Sequence, residues 1–312
     1  MKFPPLIILY GSMGDKHNAK VQKMIDGRSV CGYRSHAEKF GEIIYMAPQN
    51  LSKPWERCIT SKAQLALYLE GLPSDCIIWC VKHDKDGRRD DVVRRLNHRS
   101  VYYSCCSLDT FNPNCNISLV DTSARIKNKR MKLWVKGKDR GWWYENSPKF
   151  FDYCLIGRRA DKNEQWFISE LTEKVKQKRS IMWIGGEGHK IPKTHHHVAT
   201  TPFCGPEIVR NGINSCRVGI NATEHPCEGF PQSLVEMQIC GLPCVYLDTA
   251  PWNDLYIGMR GLFWPTPIAR SPKEEVVIKA EKFLANIEKI NIVSHLTLEN
   301  SYQSILNALG EA

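Results

Sequence analysis

Glu228-Gly229-Phe230-Pro231-Gln232-Ser233-Leu234-Val235-Glu236-Met237-Gln238-Ile239-Cys240-Gly241-Leu242-Pro243 is the stretch on which the reading of this chain turns. An apolar, β-rich run precedes it at Val218 to Asn221, and another follows at Cys244 to Leu247. The segment therefore reads as the loop and helix of a strand, loop, helix, strand unit. Pro231 suits the first helical turn, Gly241 suits the helix end, and Pro243 stops any continuation. The helix is short, about three turns.

A loop that opens a helix presents unpaired backbone N–H groups, and the helix dipole there favours negative charge. Residues Gly229 and Phe230 to Leu234, including Pro231, Gln232 and Ser233, are thus candidates to hold a diphosphate. Glu236 lies one turn further in, where a carboxylate would repel phosphate but could accept hydrogen bonds from ribose hydroxyls. Glu228, before the helix, would reach a sugar on the other side of the phosphates.

Two glutamates with seven residues between them, bracketed by Gly-Phe-Pro and Gly-Leu-Pro, resemble the signature of the retaining GT-B glycosyltransferases known as "glycosyl transferases group 1". The resemblance implies that Glu228 contacts the transferred sugar, the loop amides bind the diphosphate and Glu236 binds the ribose. Upstream, Tyr153-Cys154-Leu155-Ile156-Gly157-Arg158-Arg159-Ala160-Asp161-Lys162-Asn163 is similar to the family's strand ending in Gly-Arg with a following Lys. Arg158 and Lys162 would then neutralise the leaving diphosphate. Fixed cations aimed at that growing charge stabilise the transition state more than the ground state. One residue fewer than the family's usual spacing separates the two cations, so Arg159 is an alternative to Arg158. Ile181 to Gly188 resembles the next strand and its glycine turn. The likeness covers about Phe151 to Pro265; the first half matches only in layout.

Outward from this segment, short apolar β-rich runs alternate with helical stretches along the whole chain, the signature of α/β domains with parallel sheets. Strands are expected at Leu6 to Tyr10, Glu42 to Met46, Cys76 to Val81, Val101 to Cys105 and Ser118 to Val120. In the second half they are expected at Tyr153 to Ile156, Ile181 to Ile184, Val198 to Thr200, Val218 to Asn221 and Cys244 to Leu247. The 312 residues suit two domains. The turn-forming segment Gly141 to Lys149 puts the boundary at 1–147 and 148–312, with helices at Glu274 to Ile287 and Ser301 to Leu309 and the last able to pack back on the N-terminal domain. The expected architecture is GT-B: two Rossmann-like doubly wound domains facing across a cleft, the donor on the C-terminal one.

In the first half, Gly11-Ser12-Met13-Gly14 follows a strand and could bring backbone close to donor phosphates at Gly11 and Gly14. His83 follows another strand, at the edge where open α/β sheets bind ligands, and the resemblance gives a histidine in this region a sugar contact. Asp84-Lys85-Asp86 has the spacing of a metal-binding DxD motif. A GT-B enzyme uses cations and helix ends instead, so no metal and no cofactor beyond the nucleotide-sugar are expected. His195-His196-His197 does not put its imidazoles on one face of a strand and lacks a carboxylate or Cys partner, so it is not expected to hold a metal.

Composition fits a folded protein, with 42% apolar residues. The thirteen cysteines are odd in number, scattered through core-like segments and without paired CxxC motifs, which suits reduced thiols in a cytoplasmic protein. The N-terminus reads as a buried strand, not a signal peptide, and no transmembrane segment is expected. The net charge is +10, and between Val81 and Arg140 fifteen Lys and Arg face seven Asp. The run Arg125 to Lys132, continued by Trp134, Lys136, Lys138, Arg140, Trp142 and Trp143, interleaves cations with aromatics. It could bind an anionic or glycan acceptor or a nucleic acid, or be a solvated face. The expected reaction transfers a hexose, with UDP-glucose as the default donor, to a hydroxyl on a glycan, glycoprotein or lipid. The alternatives are modification of nucleic-acid bases, or a non-catalytic nucleic-acid-binding protein on the same fold.

Overall fold

The computed structural model describes residues 3–11, 33–46, 57–81, 87–96, 98–103, 111–120, 126–134, 136–157, 163–202, 205–223, 231–247, 268–289 and 296–310. The chain folds as two units, Met1–Val135 with Leu298–Ala312, and Lys136–Thr297.

The first unit is built on seven parallel strands: β1 Leu6–Tyr10, β2 Gly41–Met46, β3 Arg57–Ile59, β4 Ile77–Val81, β5 Arg99–Tyr103, β6 Ile117–Val120 and β7 Met131–Leu133. They lie in the order β3-β2-β1-β4-β5-β6-β7. Alternation along β1 shares its side chains between two cores. Leu6, Ile8 and Tyr10 pack with Tyr33 and Ala37 of helix Tyr33–Phe40 and with Tyr302, Ile305 and Ala308 of helix Leu298–Gly310. Ile7 and Leu9 pack on the other face with Leu65 and Leu69 of helix Lys62–Glu70 and with Val92 and Val93 of helix Arg88–Arg95. Both faces of the sheet are covered, which is why its central strands read as continuous apolar runs. The last helix is held by Trp134, whose Nε1 donates to Ser301 Oγ at 3.1 Å, and by Tyr302, whose hydroxyl donates to Pro4 O at 2.8 Å.

The second unit has six parallel strands: β8 Phe151–Ile156, β9 Ser180–Ile184, β10 His197–Thr201, β11 Cys216–Asn221, β12 Cys244–Leu247 and β13 Ile268–Ser271. Their order is β10-β9-β8-β11-β12-β13. Tyr153, Leu155, Trp183, Val218, Ile220 and Val245 face Phe167 and Leu171 of helix Glu164–Lys174 and Val276 and Ala280 of helix Val276–Ala285. On the other face helix Gln232–Ile239 approaches β11 closely at Gly219. A Cβ on Gly219 would stand 2.5 Å from Met237 Sδ and 2.7 Å from Cys244 Sγ, so a side chain there would force these neighbours to shift.

The chain passes into the second unit after Val135, ahead of the expected 147/148 boundary. The reason is packing: Trp143, in the short helix Arg140–Trp143, is fully buried, and its carbonyl accepts from Asn214 Nδ2 at 2.8 Å and Cys240 Sγ at 3.3 Å. Cys76, Cys80, Cys115, Cys154, Cys216, Cys240 and Cys244 are buried free thiols that fill the cores. Burial pushes the Cys244 thiol up to about 12. Among the described residues no helix is long and apolar enough to cross a membrane.

Candidate functional site

In each sheet the strand order reverses once, between β1 and β4 in the first unit and between β8 and β11 in the second. Ligands of open α/β sheets bind outside the carboxyl ends of the strands at such a reversal. In the second unit β8 leads to Gly157, and β11 leads through Asn221, Ala222 and Thr223 toward Pro231 and the helix that follows. Both sequence-predicted donor segments thus follow the two strands that flank the reversal. Arg158, Arg159, Lys162, Glu228, Gly229 and Phe230 themselves lie outside the described residues, as do Gly14, His83, Asp84, Asp86 and Arg125.

The signature helix runs from Gln232 to Ile239 with Pro231 at its N-cap, where proline contributes no side-chain cap bond. Its C-terminus closes through Gly241 in the left-handed conformation (φ 84°), with Leu242 N–H donating to Met237 O at 3.0 Å. That pattern requires glycine and matches the expected helix end. The opening turn is tied to the sheet by Asn221, whose Nδ2 donates to Ser233 Oγ at 3.0 Å. With its oxygen accepting from Asn221, the Ser233 hydroxyl has its own hydrogen to give to an acceptor such as phosphate. Leu234 differs from expectation: its side chain is fully buried and its amide donates to Pro231 O at 3.2 Å. It supplies packing, and the amides before it form the helix opening.

Glu236 is buried at 4% exposure, and its Oε1 lies 3.1 Å from Nζ of Lys138, which is fully buried. Burial raises the Glu236 carboxyl above the usual glutamate range, and the Lys138 ammonium opposes that rise. Lys138 is fixed in turn: its N–H donates to Leu296 O at 2.8 Å, it pairs with Thr297 in a parallel bridge, and its ammonium lies 5.3 Å from the centre of the Trp143 ring. The sequence grouped Lys138 with a basic surface and did not single it out. Lys136 is also buried, at 3%, so these two lysines of the basic run are interior. Lys127, Lys129 and Ile126 are exposed, and Arg130 stacks over Phe111 at 5.4 Å while donating to Asn116 O at 3.1 Å.

At the first unit's reversal, Gly11 adopts φ 91° directly after β1, and its backbone is engaged on both sides. Its N–H donates to Val81 O at 3.2 Å, and its carbonyl accepts from Arg89 Nη1 at 2.8 Å. Arg89 is fully buried and also bonds Val81 O at 2.9 Å and the Asp90 carboxylate at 2.9 Å. Gly11 therefore shapes the loop without an unengaged amide of its own. Arg89 had no sequence signal beyond its place at a helix start after β4. Within the histidine triplet, His195 Nε2 bonds Val175 O at 3.0 Å and His196 Nδ1 accepts from Arg179 N–H at 3.2 Å, so both are tied to backbone.

No family model and no curated protein sequence matches the chain. Solved structures do share its fold. An alpha-glucosyltransferase in complex with UDP-glucose and DNA containing an abasic site matches with TM-score 0.59 and 9% identity, over 98% of this chain and 99% of that one. A glycosyltransferase from Rickettsia africae ESF-5 gives TM-score 0.59 and 9% identity, over 98% and 94%. An alpha-glucosyltransferase in complex with UDP and a 13-mer DNA containing a central A:G mismatch gives 0.54 and 11%, over 96% and 94%. The fold is GT-B, with two parallel-sheet α/β units.

Proposed function

We propose that the protein is a retaining glycosyltransferase that moves a hexose from a nucleotide diphosphate sugar, with UDP-glucose the first donor to try, to an acceptor hydroxyl. The observation that carries the reading is that strand β11 and helix Gln232–Ile239, which flank the Glu228 segment in the sequence, lie at the strand-order reversal of a GT-B sheet. In this scheme the helix opening and Ser233 bind the diphosphate and Glu236 takes the ribose hydroxyls. Glu228 orients the sugar, and Lys162 with Arg158 or Arg159 stabilises the charge growing on the β-phosphate. The acceptor hydroxyl attacks from the leaving-group side and the β-phosphate oxygen takes its proton, so neither an enzymic nucleophile nor a metal ion is required. A cytoplasmic, thiol-reducing setting suits the free cysteines.

For the acceptor, the starting expectation is a hydroxyl on a glycan, glycoprotein or lipid. A second reading, a hydroxyl carried on nucleic-acid bases, is favoured by two observations. Alpha-glucosyltransferases of this fold are found in complexes with DNA, and Lys127, Lys129 and Arg130 with Phe111 present cations beside an aromatic ring.

Incubation with UDP-, GDP- and ADP-sugars, read by release of free nucleotide diphosphate and by melting temperature, tests the donor half. UDP-glucose is expected to raise the melting temperature and to be slowly hydrolysed. If no donor does either, the enzyme reading falls and the non-catalytic nucleic-acid-binding alternative takes its place. Full loss of activity in EDTA would reinstate Asp84 and Asp86 as metal ligands.

A further inference from the structure

The Lys138–Glu236 pair is placed where stability alone gives little reason for it. Two charges taken out of water recover through their attraction only about what desolvation costs, and apolar residues of similar volume commonly do as well. Here the pair lies inside the second unit, with side-chain exposures of 0% and 6%, and one member stands on the signature helix one turn from its opening. Lys138 is also anchored through its backbone and its side chain. Its backbone donates to Leu296 O, it bridges to Thr297, and the Trp143 ring faces its ammonium. Such an anchored ammonium fixes the direction of the carboxylate it meets, because Lys138 Nζ occupies one lone pair of Glu236 Oε1. A carboxylate has about four acceptor positions, of which Lys138 Nζ takes one. Two neighbouring hydroxyls, as on a ribose, are the donors such a group suits. The groups facing Glu236 from its own helix do not replace the cation: Cys240, one turn on, is a buried thiol pushed up by burial and by the Glu236 charge.

We propose that Lys138 is a positioning residue of the donor site, holding the Glu236 carboxylate turned so that it accepts from the 2′- and 3′-hydroxyls of the nucleotide. This rests on the reading of Glu236 as the ribose contact. Lys138 does not touch substrate in this scheme; it acts through Glu236.

The test compares binding of UDP and 2′,3′-dideoxy-UDP to the full chain by titration calorimetry. The wild type is expected to prefer UDP by about tenfold or more, the scale of a hydrogen bond to a charged group. Lys138→Met should bring that preference down to about twofold while leaving the affinity for the dideoxy nucleotide near its wild-type value. Lys138→Arg should restore most of it. A loss of fold would weaken both nucleotides together, so the ratio separates positioning from structural damage. Lys138→Leu, which likewise carries no donor to Glu236, replaces the Met variant if that one does not fold, with the same loss expected. A wild-type ratio in either neutral variant overturns the proposal. Wild-type protein that binds no UDP overturns the glycosyltransferase reading itself. Wild-type protein that binds UDP and its dideoxy analogue equally, or Glu236→Gln that keeps the preference, overturns the ribose role and this inference with it.

Discussion

Each unit buries a cation completely, Arg89 in the first and Lys138 in the second, and the two differ in what they hold. Arg89 spends its guanidinium on the carbonyls of Gly11 and Val81, at the ends of β1 and β4, with the neighbouring Asp90 carboxylate balancing its charge. Asp90 is held in turn by Asn112 Nδ2 at 2.8 Å. Lys138 spends its ammonium on a carboxylate of the signature helix. A guanidinium has five donors in a rigid fork and can lock several backbone acceptors at once, whereas an ammonium is a compact charge that suits one anionic partner. The first arrangement fixes a loop; the second fixes the direction of a side chain.

Removing each cation tests that difference. Arg89→Met leaves the buried Asp90 carboxylate without its cation and removes the side-chain bonds to the Gly11 and Val81 carbonyls, and is expected to cost about 3–5 kcal/mol, read by chemical denaturation. Lys138→Met should cost less, about 2–3 kcal/mol, because Glu236 can take up a proton where Arg89's carbonyl partners cannot. The pH dependence gives the sign. The folded Glu236 carboxyl lies above its unfolded value through burial, so in that window the folded state binds more protons and stability falls as pH rises. Without Lys138 the window widens, and the loss in Lys138→Met should be larger at pH 8 than at pH 5.

Glu281 gives the opposite sign in the same unit. Burial raises its carboxyl, but hydrogen bonds from Arg179 and the Tyr153 hydroxyl outweigh that and hold it below the ordinary range. Its contribution is present above the unfolded value and lost as pH falls through the folded one. Glu281→Gln should therefore cost about 1–2 kcal/mol at pH 7, in a partly exposed site, with the difference from wild type vanishing in acid. The smallest effect is expected from Asn221→Ala. It releases Ser233 Oγ, and donor affinity should weaken by a few-fold, about 0.5–1 kcal/mol by calorimetry, with the melting temperature nearly unchanged. A shift as large as that of Lys138→Met would make Asn221 a fold residue instead.

The strands expected from apolar runs, among them Leu6–Tyr10 and Cys244–Leu247, occupy positions in the two sheets close to those read from the sequence. Three others, Arg57–Ile59, Met131–Leu133 and Ile268–Ser271, had no such run, and all three lie at sheet edges. An edge strand pairs on one side only, so short segments with few apolar residues suffice there. The site divides in the same way. Pro231, Gly241 and the two glutamates carried local signals, because caps and turns are decided within a few residues. Lys138 and Arg89 carried none, because a buried lysine and a solvated one are the same letter. Their partners lie 98 and 78 residues away along the chain, at Glu236 and Gly11.

The sequence by itself determined that this is a two-part α/β protein with a helix opening bracketed by two glutamates, since periodicity and turn chemistry are local properties. Only the tertiary structure decided that the segments leading to that opening follow adjacent strands at a reversal, that part of the basic run is interior, and that Glu236 meets a cation. Those facts depend on which distant segments share a sheet and a core, and strand order and burial are set by the packing of the whole unit.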